Sequence, residues 1–573
     1  GSSSPCGLLN LVVKRPLARA RTAGSVEWSE PGTVTLAADL AGRTGPDGAM
    51  GWRLNAAASH LDPPTRNSRG ASHLLAGAGE WRLGRDALLE AEFETSRQRQ
   101  PSMPGFSLLG DRLPDAKAVD PRLNLNNQPW SLPVVFEGRT GSLRYTREIG
   151  AAMQFTAQAM QQRLRTDDRI AFPYGCSAED DYTRYCSDGS FDLYDFRSEG
   201  ERRTTSAADL ALQGRHTLSG MVHRWSAGVL TTRHTARFGR QAYNYVGTGT
   251  LDGQAVVPAD PTLTDENTQR SERSTEWRLQ DAIALDERWQ LWAGLRHTRL
   301  QRASVRTDGS RATDYTQDFT TPWLALSWQA TPTLMAYGSW GQGVESEVAP
   351  NRTRYLNAGE ALPALKSRQF EIGLKHRSDA LQWQLALFDI RRPAWSDILL
   401  STGVSTDACS DADPCVRRAD GAAHHRGVEL DADWQVGPLN LRGSALWLHA
   451  RREDASDPAT NGLRPANVPA HSLKLQAAWN LPQQPGLALL AFLSREGERM
   501  VLPDNGVSTA GWTRVDLGLR YAQVVDGRRW TWRLGLDNVA DARAWKESPY
   551  QFGHAYLYPL APRTWRAALN VTL

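Results

Sequence analysis

Residues 564–573 read TWRAALNVTL. Trp565, Ala567, Leu569, Val571 and Leu573 are apolar, and the residues between them are small or polar. Strict alternation marks a strand with one apolar and one wet face. Two more runs of this kind precede it, TRVDLGLRY from Thr513 and WTWRLGLDNV from Trp530. In both, charged residues sit opposite the large apolar ones. A sandwich core rarely repeats Arg and Asp against Trp and Leu so regularly. A membrane barrel does so of necessity, because lipid takes one face and a watery lumen the other.

Working backwards and forwards from that strand, alternating runs recur along all 573 residues. The first is a weak run near Leu17–Gly24. Thr33–Leu40, Gly51–Ser59, His73–Leu83 and Ala87–Ser96 follow. In the last of these Glu90, Glu92 and Glu94 share one face opposite Leu89, Ala91 and Phe93. Counting to the C-terminus gives about 22 runs, an even number that suits a large antiparallel transmembrane β-barrel. The fold class expected is therefore all-β. By closure, the final run should pair with the first, near Leu17–Gly24.

The gaps between runs alternate in length. Short ones, such as Gly84–Asp86 and Ser378–Ala380, interleave with long ones, such as Arg97–Glu137, Arg165–Arg203, Gly239–Arg270, Arg392–His424 and Val539–Arg563. Short periplasmic turns and long extracellular loops are the plan of outer-membrane barrels.

Composition agrees. Mean hydropathy is −0.49, and no run of about 18 apolar residues offers a spanning helix. Trp, at 21 residues, outnumbers Tyr and Phe individually, which suits aromatic girdles at membrane interfaces; buried core Trp is the competing reading. A net charge of +3 carries no nucleic-acid footprint.

Cys176 and Cys186 bracket the acidic segment CSAEDDYTRYC, and Cys409 and Cys415 bracket CSDADPC. Two close pairs in polar loops point to local disulfides in an oxidising compartment. The rival is zinc, which wants shorter spacings and nearby His. Cys6 is left over. The aspartates of these loops lack the spacing of a calcium loop, so no metal site is expected. No nucleophile elbow, P-loop or metalloprotease helix occurs, so no catalytic residue is assigned.

Three stretches then resemble the TonB-dependent outer-membrane receptor family, in its ferric-siderophore branch. GSSSPCGLLNLVVKRP, residues 1–16, resembles the end of that family's plug domain. NAGEALPALKSRQFEIGLK, Asn357–Lys375, resembles its passage from a polar loop to a Glu-bearing strand. GLDNVADARAW, Gly535–Trp545, with the closing strand, resembles its C-terminal strand pair. Cys6, Ala540 and Leu573 depart from the family pattern. The resemblance implies residues 1–16 as the C-terminal end of a plug, the rest of which is not in this sequence, and residues 17–573 as the barrel.

It also implies a Gram-negative outer-membrane importer of a ferric siderophore. The iron is carried as a chelate, with no resident cofactor. The implied partners are the siderophore, the TonB energy-coupling complex acting through the missing plug region, and outer-membrane lipid. Importers of cobalamin, haem or an oligosaccharide share the scaffold; a passive porin or an outer-membrane enzyme is a remoter alternative.

The oxygens of a ferric chelate call for Arg, Tyr, Trp, His and Gln on the long loops. The candidates are Trp130, Tyr174, Arg184, Tyr185, Tyr243, Tyr245, Arg352, Arg354, Tyr355, Trp395, Tyr550, Gln551 and Tyr556, with His554 beside them. His424 and His425 are neighbours on an expected strand. They should point to opposite faces and cannot readily share a metal.

Overall fold

The computed structural model describes residues 12–404, 409–551 and 553–573. Cys6 lies outside the described residues, as does most of the stretch 1–16 expected as the end of a plug. One antiparallel sheet of 23 strands dominates. Twenty-two of them follow one another round a ring, and the ring closes where Arg21–Ser29 pairs with Thr564–Thr572. The remaining strand, Ala242–Thr250, pairs only with residues 190–197 of the long strand Ser190–Leu218. Each alternating run read from the sequence corresponds to one strand of the ring.

The seam differs from expectation. The first strand is Arg21–Ser29, four residues beyond the run that begins at Leu17. Leu17 is tied to the inside instead. Its carbonyl accepts from Arg43 Nε at 3.0 Å, Arg53 holds the carbonyl of Arg15 at 3.0 Å, and Arg15 pairs with Glu90 and Glu92 at 3.1 and 2.6 Å. The chain enters the wall only at Arg21, opposite Ala41.

Alternation places the side chains. On adjacent strands directly paired residues share a face. Trp28, paired with Val34 and Ala567, therefore points outward with them, while Glu27, Thr35 and Ala568 point inward. Outward apolar side chains are broadly exposed, Leu279 at 59% and Leu143 at 51%; lipid is their solvent.

The Trp excess resolves into two tiers. Trp81, Trp289, Trp328, Trp434, Trp479 and Trp532 lie near the short turns. Trp28, Trp277, Trp340, Trp447 and Trp565 lie on the same outer face nearer the long loops. Such girdles are what amphipathic rings form at the two interfaces.

Several strands run far past the membrane. A tilted span needs about 9–11 residues, yet Ser190–Leu218 has 29, Cys415–Val436 has 22 and Met153–Pro173 has 21. Parts of Arg165–Arg203 and Arg392–His424, expected as loops, are therefore extended ladder. Outside the bilayer neither face meets lipid, so the alternation that marks a strand fades. Bulges between Thr166 and Asp168, and between Pro393 and Trp395, stand where two of these strands leave the wall. Pro393, with no N–H to give, fits such a break in the ladder.

Candidate functional site at the long-loop rim

The long loops do not splay. They knit into a canopy with its own apolar core of Phe106, Leu108, Leu125, Tyr185, Trp545 and Leu557, drawn from segments far apart in sequence. Phe106 and Leu557 exchange backbone hydrogen bonds at 2.9 and 2.7 Å. Trp545 Nε1 donates to the carbonyl of Pro114 at 2.7 Å, and Trp130 Nε1 to that of Val257 at 2.8 Å. Tyr185 is fully buried and its hydroxyl donates to the carbonyl of Gly105 at 2.9 Å. Arg184 is held by Asp111 and Asp181 at 2.7 and 3.1 Å.

Both loop disulfides form. Cys176–Cys186 spans 5.0 Å between Cα atoms and Cys409–Cys415 spans 5.5 Å. Glu179 lies close to the first pair, but a disulfide takes both sulfurs out of reach of a metal. The second packs against the ring of Tyr355. Tyr355 is also fully buried. Its hydroxyl donates to Asp397 at 2.6 Å, and Arg417 grips the same carboxylate with two bonds, at 2.7 and 2.9 Å.

Beside these cores lies a nest of aromatic rings and two guanidinium groups. Tyr194 stacks on Tyr243 with ring centroids 4.5 Å apart and planes 9° from parallel. Arg352 lies over the Tyr243 ring, 4.0 Å from its centroid. Arg354 lies over Tyr174 at 5.1 Å and donates to its hydroxyl. His554 stacks on Tyr174 at 4.8 Å and meets Tyr556 at 4.5 Å, and Phe172 closes the group, 5.8 Å from Tyr174. These are distances at which rings and cations attract.

Three polar groups of the nest are unsatisfied among the described residues. Both ring nitrogens of His554 and the hydroxyls of Tyr243 and Tyr556 are buried without a hydrogen-bond partner among the described residues. Such atoms are uncommon and costly in a finished interior. Burial pushes the His554 imidazole down to about 3, so it is neutral at ordinary pH.

Of the residues picked from the sequence, the nest gathers Tyr174, Tyr243, Arg352, Arg354 and Tyr556, with His554. Tyr245 stands at its edge, half exposed and edge-on to Tyr194 at 6.0 Å. Trp130 and Tyr550 pack against the canopy core, and Gln551 is exposed on the hairpin that carries His554. Trp395 lies on a strand just past the Pro393 bulge. His424 and His425 do face opposite ways. His424 bonds Asp389 and Glu453 on the outer face, at 2.9 and 2.8 Å.

Phe172, Tyr194 and Phe196 escaped the sequence reading because their segments read as loop. The alternation in FDLYDF, residues 191–196, is the signal that marks them: Phe191 and Leu193 enter the canopy core, while Tyr194 and Phe196 face Tyr243.

Comparison with known proteins follows this architecture. Residues 80–539 match the family model described as TonB dependent receptor-like, beta-barrel. The ferrichrome receptor FcuA of Yersinia enterocolitica is 27% identical over 326 residues, which is 54% of this chain and 39% of that receptor. The chain thus matches well under half the length of this curated relative. BauA, the ferric preacinetobactin receptor from Acinetobacter baumannii, superposes with a TM-score of 0.82 at 19% identity, over 98% of this chain and 81% of its own. The ferric-catecholate import receptor Fiu of E. coli, in its closed form, gives 0.79 at 15% identity, over 100% and 84%. With a matching family model across most of its length and a closed barrel of 22 strands, the chain belongs to the TonB-dependent receptor β-barrel family of the Gram-negative outer membrane.

Proposed function

We propose that this barrel belongs to a receptor that imports a ferric siderophore under TonB-coupled energy. The observation that carries the reading is the nest over the barrel mouth. Arg352 and Arg354 supply fixed positive charge, the tyrosine faces supply π surface, and the unpaired tips of His554, Tyr243 and Tyr556 supply hydrogen-bonding capacity. A ferric chelate, with anionic oxygens set on an apolar or aromatic frame, complements all three. Tyr174, Tyr243, Tyr245, Arg352, Arg354 and Tyr556 are the proposed contacts. The likeness to FcuA, a ferrichrome receptor, supports the same class of cargo.

Residues 1–16 are read as the end of the plug. The ion pairs of Lys14 with Asp39 and of Arg15 with Glu90 and Glu92 support this, since they tether the approach to the first strand inside the wall. Binding needs no catalytic group, and no cofactor is assigned.

The test is growth rescue. An iron-starved strain lacking its own receptors, given the full-length gene, is fed a panel of ferric siderophores, and binding is measured on the purified receptor. Rescue by one or a few siderophores, lost when the coupling protein is deleted, is the expected result. Rescue by cobalamin, haem or an oligosaccharide alone would replace the cargo; uptake indifferent to the coupling protein would point to a porin.

A further inference from the structure

The short-turn rim carries a constellation outside the lumen. The strands Ser190–Leu218 and Met221–Arg237 meet at the turn Ser219–Gly220, and His216 stands directly opposite His223. Directly paired residues share a face. The face is the outer one, because Leu210, broadly exposed to lipid, lies an even number of residues before His216 on the same strand. The two rings stack, with centroids 4.9 Å apart and planes 7° from parallel. Register brings two thioethers to the same face. Met221 is paired with Leu218 and Met153 with Gly214. Each therefore lies diagonally from His216, a spacing that long side chains cross.

His223 is set as a metal ligand is. Its Nδ1 is bonded to Asp281 Oδ2 at 2.6 Å, and its side chain is only 12% exposed. An ionised carboxylate only accepts, so Nδ1 carries the proton and the lone pair of the neutral ring is on Nε2. Nε2 is buried without a hydrogen-bond partner among the described residues. A carboxylate behind one imidazole nitrogen, with the other nitrogen left free, is the arrangement that orients metal-binding histidines. Asp281 has no other evident task. It shares the outer face with Leu279, two residues away and 59% exposed to lipid, where an ionisable side chain marks a function. Trp225 lies across Gly214, where an added Cβ would meet its ring at 2.5 Å, and walls the pair off from the membrane core. His216 is exposed and forms no hydrogen bond among the described residues, so its ring can turn. An ion held by both rings needs their nitrogens about 3–4 Å apart, given metal–nitrogen bonds of about 2.0–2.1 Å. Turning His216 alone achieves this from the stacked pair.

We propose that His216 and His223, the latter oriented by Asp281, bind a copper ion at the periplasmic rim of the barrel wall. Imidazole suits Cu2+, which heads the affinity order of the divalent ions for such ligands, and the thioethers of Met153 and Met221 suit Cu+. The adjoining turn opens His216 to periplasmic water, which gives the ion its entry path. The site faces away from the lumen, so it is independent of the imported cargo.

The full-length receptor, purified in detergent without a histidine tag, is titrated with Cu2+ and with Zn2+ against a competing chelator, and the Cu2+ form is examined by electron paramagnetic resonance. A single Cu2+ is expected, held more tightly than Zn2+ and showing the nitrogen couplings of two imidazoles. H216Q and H223Q should each weaken it roughly tenfold or more, and D281N roughly ten- to a hundredfold with the two-nitrogen signature kept. H376Q, elsewhere on the short-turn rim, should change nothing. M153L/M221L should weaken Cu+ roughly tenfold and leave Cu2+ as it was. Copper binding indifferent to both histidine substitutions would mark adventitious surface binding and overturn the inference. Zn2+ held as tightly as Cu2+, or Cu+ affinity unmoved in M153L/M221L, would overturn the choice of copper. Should H223Q lose the heat-modifiable mobility of a folded barrel, H216Q, at an exposed position, decides alone.

Discussion

His554 lies flat against Tyr174, ring centroids 4.8 Å apart and planes 29° from parallel, with neither imidazole nitrogen bonded to any described residue. Its stability contribution has a definite sign. Burial lowers its folded-state value to about 3, against about 6.5 in an open chain. Between these values the opened loop binds a proton that the closed loop refuses. Closure is therefore fully favourable above about pH 6.5 and weakens as pH falls towards 3, by about 1.4 kcal/mol per unit at most. Hydrogen exchange of the amides at residues 553–557, corrected for intrinsic rates, should show easier opening at pH 5 than at pH 7.5. H554F should flatten the difference; an opening free energy independent of pH in the native chain would contradict the assignment.

Arg352 and Arg354 act on the nest from one loop, each over a tyrosine face. If they also hold the chelate, R352Q and R354Q should each weaken ferric-siderophore binding by roughly ten- to a hundredfold, the scale of a charge-assisted hydrogen bond. Y243F should cost less, because it keeps the ring and removes only the unpaired hydroxyl. Titration on purified receptor gives the comparison. Unchanged affinity in both arginine variants would remove the nest from the binding site.

Tyr355 has its hydroxyl committed to Asp397 and its ring packed on the Cys409–Cys415 bridge. The geometry is that of a strut, so Y355F should lower loop stability by about 1–3 kcal/mol by leaving Asp397 short of a donor. C409S/C415S should cost about 2 kcal/mol more through the freed loop. Limited proteolysis at 400–404 and 409–415 reads both. A Y355F variant with native protease resistance but weakened ligand binding would instead make Tyr355 a contact.

Closure of the ring rests on Ser25 opposite Asn570 and Gly24 opposite Val571. Directly paired positions are within disulfide reach, and positions one residue out of register face opposite sides of the wall. S25C/N570C should therefore cross-link under mild oxidation, and S25C/V571C should not. Electrophoretic mobility after trypsin cleavage of an external loop distinguishes them. The reverse result would shift the seam by one residue.

The wall of the barrel was legible because one solvent condition wrote it. Lipid outside and water inside force alternation wherever a strand crosses the membrane, and the closing residues Trp565–Leu573 display it plainly. The same condition explains the misplaced start at Leu17: near the seam, Leu17 is apolar but lies inward, bound to Arg43, and a local pattern does not distinguish a lipid-facing leucine from a tethered one. The girdles, the strand number, the long-loop rim and the two local cysteine pairs all follow from short-range sequence.

Above the membrane that condition is absent. Tyr194 and Phe196 lie on a strand that no longer has a lipid side, so only the short alternation of FDLYDF announces it, without the charged and apolar contrast of the wall. The canopy joins Phe106 to Leu557, and the nest joins Tyr174 to Arg354 and His554, across hundreds of residues. Composition could nominate Tyr and Arg on the loops. Only the closed ring, by setting the loop ends at fixed distances, decided that Tyr174 and Tyr243 would meet arginines while Tyr185 and Tyr355 became internal struts. Cross-strand register, invisible along any one strand, likewise brought Arg139 beside Arg163 and Arg202 beside Arg237.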